Sequence, residues 1–211
     1  MAANPAAQLD AEFGSFPGLI AAWGEYCGDA PALYDGTTNL SWRETADRVE
    51  RIAARLQADG LERGQAVAIL GTTTVNYALV YLAAIRAGGC AAPLTTSASP
   101  EQLAGMAADS GAIHLFIDRA KLNELGDFKL PIENQIVLDE ELDSFMAAPG
   151  TKAAPFDPAE KDPFNIIYSS GTTGIPKGIV HSHGMRWRQM TFRAALNYGQ
   201  DSRTICSTPL Y

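Results

Sequence analysis

The stretch Phe164-Asn-Ile-Ile-Tyr-Ser-Ser-Gly-Thr-Thr-Gly-Ile-Pro-Lys-Gly-Ile-Val180 changes character twice within a short span. Its apolar start, Phe164 to Tyr168, reads as a short buried strand. Small and hydroxyl residues follow from Ser169 to Gly174, then Pro176 and Lys177, and a second apolar run begins at Ile179. The pattern is strand, loop, strand, with a lysine at the loop's exit. Gly171 and Gly174 let the backbone take positive φ and approach a ligand closely. Ser169, Ser170, Thr172 and Thr173 offer four hydroxyl donors, and Lys177 adds a positive charge. Backbone N–H groups, hydroxyls and a cation on one loop are what a polyphosphate requires. The spacing is not that of a Walker loop, which needs G-x-x-x-x-G-K-[ST]. Only Ile175 and Pro176 separate Gly174 from Lys177, and Gly178 stands where Ser or Thr would be.

Upstream of this stretch, apolar strands alternate with helical patterns. Ala66–Leu70, Cys90–Leu94, Ile113–Ile117 and Ile136–Leu138 read as strands, and Val75–Ala87, the segment from Pro100 to about Asp109, Arg119–Leu125 and Glu140–Met146 as helices. Strands that are apolar throughout and alternate with helices predict an α/β fold, a mostly parallel sheet with helices on both faces. Ser41-Trp-Arg-Glu44 and Ser99-Pro-Glu-Gln102 are capping boxes that open helices. In the first of these helices Trp42, Ala46, Val49, Ala53 and Leu56 mark one face, and the helix ends near Gly60. Ala32–Leu40 predicts a hairpin turning at Asp35-Gly36, and Phe16–Trp23 a short apolar helix. Residues 1–14 read as a loose lead-in, and Pro149–Pro163 as a surface connection. After the quoted stretch, the strand from Ile179 is expected to reach His183. A helix then places Trp187, Met190, Ala194 and Tyr198 on one face, and Thr204–Ser207 begins another strand.

The chain has 211 residues, 46% of them hydrophobic and 19% charged, as in ordinary globular proteins. A net charge of -8 makes nucleic acid a poor partner. The local balance is different from Pro163 to Gln200, where there is no Asp or Glu but Lys177, Arg186, Arg188 and Arg193 are present. Cys27, Cys90 and Cys206 are scattered and odd in number, so neither a disulfide framework nor a zinc site is indicated. Cys90 and Cys206 lie in apolar runs and are expected to be buried. Met1 to Gly14 lacks the apolar core of a signal peptide, and Val75 to Ala84 is too short to span a bilayer. Together these features place the chain in a reducing cytoplasm, with no transmembrane segment.

Two other motifs have blander explanations. Gly71-Thr-Thr-Thr74 opens a helix and could bind an anion, but it has no lysine nearby and N-capping accounts for it. His181 and His183 alternate on the expected strand and would share a face, but no third metal ligand lies close in sequence. Gly-x-Ser-x-Gly is absent, so nothing supports hydrolase chemistry.

The run Tyr168-Ser-Ser-Gly-Thr-Thr-Gly-Ile-Pro-Lys-Gly178 resembles the phosphate-binding signature of the adenylate-forming enzymes, which include acyl-CoA synthetases, firefly-type luciferases and peptide-synthetase adenylation domains. Ser169 stands where that family usually has Thr, so the hydroxyl is kept. Further blocks are similar in order: Leu40-Ser-Trp-Arg-Glu44, Ala66-Val-Ala-Ile-Leu70, Ile85-Arg-Ala-Gly-Gly89 and Ala92-Pro-Leu94. Thr95-Thr96 replace the acid or Asn-Pro often found after that Pro-Leu, so that residue's role is not carried over.

The resemblance covers roughly Leu33 to Tyr211. It implies a lead-in over residues 1–30 and part of a large N-terminal ATP-binding domain over 31–211, from an enzyme of roughly 500 residues. It implies carboxylate activation by ATP and Mg²⁺ to an acyl-adenylate, then thioester formation with coenzyme A. Ser169, Ser170, Gly171, Thr172, Thr173, Gly174 and Lys177 would hold the β- and γ-phosphates. Lys177 would be catalytic, and the Ser169 hydroxyl would approach Mg²⁺. The partners implied are a small carboxylic acid, ATP and coenzyme A, with the 211 residues alone inactive and prone to self-association through uncovered surface. The alternatives are an amino-acid adenylation domain and a non-catalytic nucleotide-binding or interaction fragment.

Overall fold

A computed structural model describes residues 4–169, 176–194 and 202–206. A short 3-10 helix, Pro5–Asp10, precedes α1 (Phe16–Tyr26) and the hairpin of β1 (Pro31–Tyr34) and β2 (Asn39–Ser41). α2 (Trp42–Ala58), β3 (Ala66–Leu70), α3 (Val75–Arg86), β4 (Cys90–Pro93), α4 (Pro100–Ser110), β5 (His114–Ile117), α5 (Arg119–Leu125), β6 (Asn134–Val137) and α6 (Leu142–Phe145) follow. β7 (Pro163–Ser169), β8 (Lys177–Ser182) and α7 (His183–Ala194) complete the described elements. Both capping boxes form, at Ser41–Glu44 and Ser99–Gln102.

The large sheet has the order β6-β5-β3-β4-β7-β8. Its strands are parallel except β8, which returns antiparallel to β7. β3 shows why helices cover both faces. Val67 and Ile69 face a core built largely from α2 and α3, while Ala68 and Leu70 face a second core with Leu103, Met106 and Ala107 of α4. A strand buried on both faces needs no polar alternation.

Strict alternation fails at one point, and the failure shapes the site. Phe164 lies in the α2–α3 core, yet Tyr168, four residues on, packs against the α4 core. The register of β7 on β8 shifts between Pro163 and Asn165. A bulge there adds one residue and turns over the faces of the strand beyond it.

A buried ion pair fastens the α2–α3 side. Glu50 of α2 accepts from Arg86 Nε at 2.7 Å and Nη2 at 3.1 Å. The same carboxylate accepts the Ala153 N–H at 3.0 Å, and Arg86 donates to the carbonyls of Ala153 and Ala154. The connection expected at the surface over 149–163 is therefore tied to the core, and Ala153 is buried. Asp35 does more than turn the hairpin. Its carboxylate accepts the N–H groups of Thr37, Thr38 and Val75, linking the turn to the start of α3. Although partial burial opposes ionisation, these bonds hold its carboxyl well below the usual range.

Four expectations need correction. The lead-in is not loose: residues 5–10 form the 3-10 helix, and Ala11 accepts a hydrogen bond from Trp187 Nε1 at 3.0 Å. Residues 202–206 form no strand, and Cys206 is exposed, because an apolar run buries itself only where a sheet receives it. Cys90 is buried as expected, which pushes its thiol up to about 12. β8 ends at Ser182, so His183 opens α7 and the two histidines do not alternate on a strand. Trp187 is buried on α7, whereas Tyr198 lies outside the described residues. No described helix is long and apolar enough to cross a membrane.

Candidate functional site

β7 runs parallel to β4, so Ser169 sits at the carboxyl end of the sheet, where open α/β sheets place their ligands. Ser169 pairs directly with Lys177, and Tyr168 with Gly178. The two ends of the candidate loop are thus neighbours across one antiparallel ladder. Ser170, Gly171, Thr172, Thr173 and Gly174 lie outside the described residues.

Alternation divides the hairpin into two faces. Ser169, Ile167 and Asn165 of β7 share one face with Lys177, Ile179 and His181 of β8. Tyr168 and Gly178 belong to the other, toward α4. Each face is fastened at a different height. On the first, Arg186 of α7 donates from Nε to Asn165 Oδ1 and from Nη2 to His181 Nδ1, both at 2.9 Å. A guanidinium can only donate, so His181 accepts at Nδ1 and its proton, when neutral, is on Nε2. Burial and the neighbouring Arg186 both lower the pKa of His181. On the second face, the Tyr168 hydroxyl donates toward the Met106 carbonyl and Asp109 Oδ2, each at 3.0 Å.

Gly178 fits this packing because it has no side chain. A Cβ there would lie 2.9 Å from Ile166 Cγ2, 3.1 Å from Asp109 Oδ2 and 3.2 Å from Tyr168 Cε1. Gly178→Ala is expected to cost about 1–3 kcal/mol through overpacking. Urea unfolding tests this, and an unchanged midpoint would remove the steric argument.

The charges around the hairpin are unequally engaged. Arg188 pairs with Glu160 at 3.3 Å, and Arg186 is held by neutral acceptors. Lys177 is exposed and has no ion-pair partner among the described residues. The side chain of Arg193 lies outside the described residues. Asp109, the carboxylate beside Gly178, already accepts from Tyr168. An exposed hydroxyl paired with an unengaged cation fits a magnesium–polyphosphate ligand.

The Gly71–Thr74 turn and the His181/His183 pair are occupied otherwise. Thr74 caps α3 by accepting the Tyr77 N–H, and the Thr72 N–H is taken by Asp118 Oδ2 at 2.8 Å. A carboxylate on that backbone leaves no place for an anion. His183 is buried between Phe156 and Phe164, with ring centroids 5.9 and 5.1 Å away, and its Nε2 has no hydrogen-bond partner among the described residues. Burial lowers its pKa to about 4. The unfolded chain, with an ordinary value near 6.5, binds the proton more readily, so this contribution to stability is full above about pH 6.5 and is lost as pH falls toward 4. We expect His183 to account for a loss on the order of 2 kcal/mol between pH 7 and 4.5. Denaturant unfolding at the two pH values, with His183→Gln as control, checks it. A variant as pH-dependent as the parent would exclude this histidine.

Sequence reasoning missed Asp109, Asn165 and Arg186 as supports of the hairpin. Asp109 lies on another helix, and no spacing in the chain announces its meeting with Tyr168.

A family model described as AMP-binding enzyme matches residues 20–211. Surfactin synthase subunit 3 of Bacillus subtilis (strain 168) is 33% identical over 156 residues, covering 74% of this chain and 12% of that protein. The 3-hydroxybenzoate–CoA ligase of Aromatoleum sp. (strain CIB) is 31% identical over 165 residues, covering 74% of this chain and 32% of that enzyme. Among solved structures, the N-terminal domain of FACL13 from Mycobacterium tuberculosis aligns with a TM-score of 0.69 at 23% identity, over 80% of this chain and 44% of that one. O-succinylbenzoate coenzyme A synthetase (MenE) from Bacillus subtilis, in complex with AMP, aligns at 0.69 and 21% identity, over 85% and 45%. These structural likenesses show the fold. The chain spans a third or less of the two curated relatives and under half of either solved chain.

Proposed function

Because the chain belongs to the AMP-binding enzyme family, we propose that it is the N-terminal part of an AMP-forming acid–CoA ligase and carries that enzyme's grip on the triphosphate of ATP. The observation that carries this reading is the cross-strand pairing of Ser169 with Lys177 at the carboxyl end of the sheet. Ser169, Ser170, Gly171, Thr172, Thr173, Gly174 and Lys177 would hold the β- and γ-phosphates, with the Ser169 hydroxyl toward Mg²⁺. Mg-ATP supplies the α-phosphorus that a substrate carboxylate attacks, with pyrophosphate leaving. Lys177 places a fixed positive charge where negative charge grows on that leaving group. The hairpin orients the phosphates in line with the attacking oxygen. Coenzyme A would then take the acyl group. The 211 residues alone would bind ATP weakly and not turn over.

A second reading has a specific observation behind it. The likeness to surfactin synthase subunit 3 favours an amino-acid adenylation domain. ATP–pyrophosphate exchange by the full-length protein, driven by a panel of organic and amino acids, separates the two. Exchange driven by a simple carboxylic acid, with thioester formed on coenzyme A, is the expected result. Exchange driven by amino acids alone would overturn the ligase reading.

Self-association belongs to the same proposal. Ile179 and Val180 on the outer strand β8 are 49% and 59% exposed, and an unpaired strand edge is a template for another chain. A second copy pairing along β8 would cover this edge. Sedimentation velocity should show concentration-dependent dimers that Val180→Lys disperses. A monomer at all concentrations would contradict it.

A further inference from the structure

The Ser169–Lys177 row is the last pair of the β7–β8 ladder before the loop. The row behind it, Tyr168 and Gly178, is where the hairpin meets α4. The Tyr168 hydroxyl reaches the Met106 carbonyl and the Asp109 carboxylate in the last turns of that helix, each at 3.0 Å. Across the ladder, a Cβ on Gly178 would crowd Asp109 and the Tyr168 ring. Donor, acceptors and gap therefore interlock at one point. The other fastening, Arg186 on Asn165 and His181, lies at the far end of the hairpin. Between the two, the Ile167–Ile179 row carries no polar side chain, so nothing described there holds the loop end in place of Tyr168.

We propose that Tyr168 and Asp109 are positioning residues for the Ser169–Lys177 pair, setting its height and orientation by fixing the loop end of the hairpin to the C-terminal end of α4. This rests on the reading that the pair meets phosphate, but it makes a structural claim that holds or fails without ligand. A rigid element matters at this place because a lysine on a loosened strand end adopts many positions, and each binding event must then select one. The carboxylate is also kept engaged: with Tyr168 donating to it, Asp109 stands beside the ladder as an acceptor already in use.

Two measurements on the 211-residue chain test this. The first is amide hydrogen exchange by NMR, without ligand, on the parent and Tyr168→Phe. Loss of the phenol should raise exchange roughly tenfold at residues 168, 169, 177 and 178, as expected for one net hydrogen bond, and leave residues 165 and 181 unchanged. Asp109→Asn keeps an acceptor oxygen and should exchange like the parent. The second is titration with inorganic tripolyphosphate, followed at the same amides, with Lys177→Ala beside Tyr168→Phe. Both variants should bind more weakly. Unchanged exchange at the four residues, or a rise spread equally over the whole hairpin, would overturn the positioning role. Raised exchange at those residues with no response to tripolyphosphate in the parent would leave the positioning role standing and count against the phosphate reading.

Discussion

Replacing Lys177 by alanine is expected to lower acid-dependent ATP–pyrophosphate exchange in the full-length protein by about 10²-fold. That is the loss seen when one preorganised donor to a developing oxyanion is removed, roughly 2.7 kcal/mol of transition-state stabilisation. The effect is expected at this lysine rather than at the basic residues nearby because those are already engaged. Arg188 is neutralised by Glu160, and Arg186 is occupied with Asn165, Gln189 and His181. Lys177 faces solvent opposite Ser169, without an ion-pair partner among the described residues. Lys177→Arg keeps the charge but spreads it over a planar fork on a different stem, so it should recover only part of the rate. Exchange that continues at the parental rate in Lys177→Ala would remove the residue from the mechanism.

The largest effect on stability is expected at Glu50. Its carboxylate is buried, takes two bonds from Arg86 and a third from the Ala153 N–H. Glu50→Ala leaves Arg86, whose side chain is only 15% exposed, without its counter-charge. Removing one partner of such a pair costs about 3–5 kcal/mol, because the remaining charge stays desolvated. Against a typical total of roughly 5–15 kcal/mol, that is a large fraction. Glu50→Gln keeps the shape and one acceptor and should cost less. Urea unfolding gives the comparison. A loss for Glu50→Ala below about 1 kcal/mol would mean that the pair is well hydrated and the description of its burial is wrong.

Where one local pattern decides an element, the sequence was a good guide. β3 was readable at Ala66–Leu70 because a five-residue run buried on both faces is apolar throughout. Ser41 and Ser99 announced their helices through the glutamate and glutamine three positions on. The loop's two ends were legible for the same reason: hydroxyls and glycines break an apolar run, and Lys177 follows at once. The family itself was legible from these blocks.

What stayed hidden depends on partners distant in the chain. Glu50 looks like one more charge on an amphipathic helix until Arg86 and Ala153 are brought to it. Asp35 looks like a turn residue until the start of α3 lands on its carboxylate. Gly178 reads as part of a motif, yet its lack of a side chain answers to Asp109 and Tyr168. The bulge near Phe164 reverses which residues of β7 face α4, and period-two counting has no means of detecting an inserted residue. Cys206 shows the opposite error, since an apolar neighbourhood in sequence does not supply the strand that would cover it.

The central claim is that this hairpin grips the triphosphate of ATP, and it is tested most directly by affinity labelling. An acyl-phosphate derivative of ATP, which transfers its acyl group to an amine beside the terminal phosphate, is incubated with the full-length protein and Mg²⁺, and the labelled lysines are located by peptide mass spectrometry. The account predicts acylation of Lys177, suppressed by excess ATP and by excess inorganic tripolyphosphate. Labelling that ATP suppresses at other lysines while Lys177 remains unmodified would contradict it.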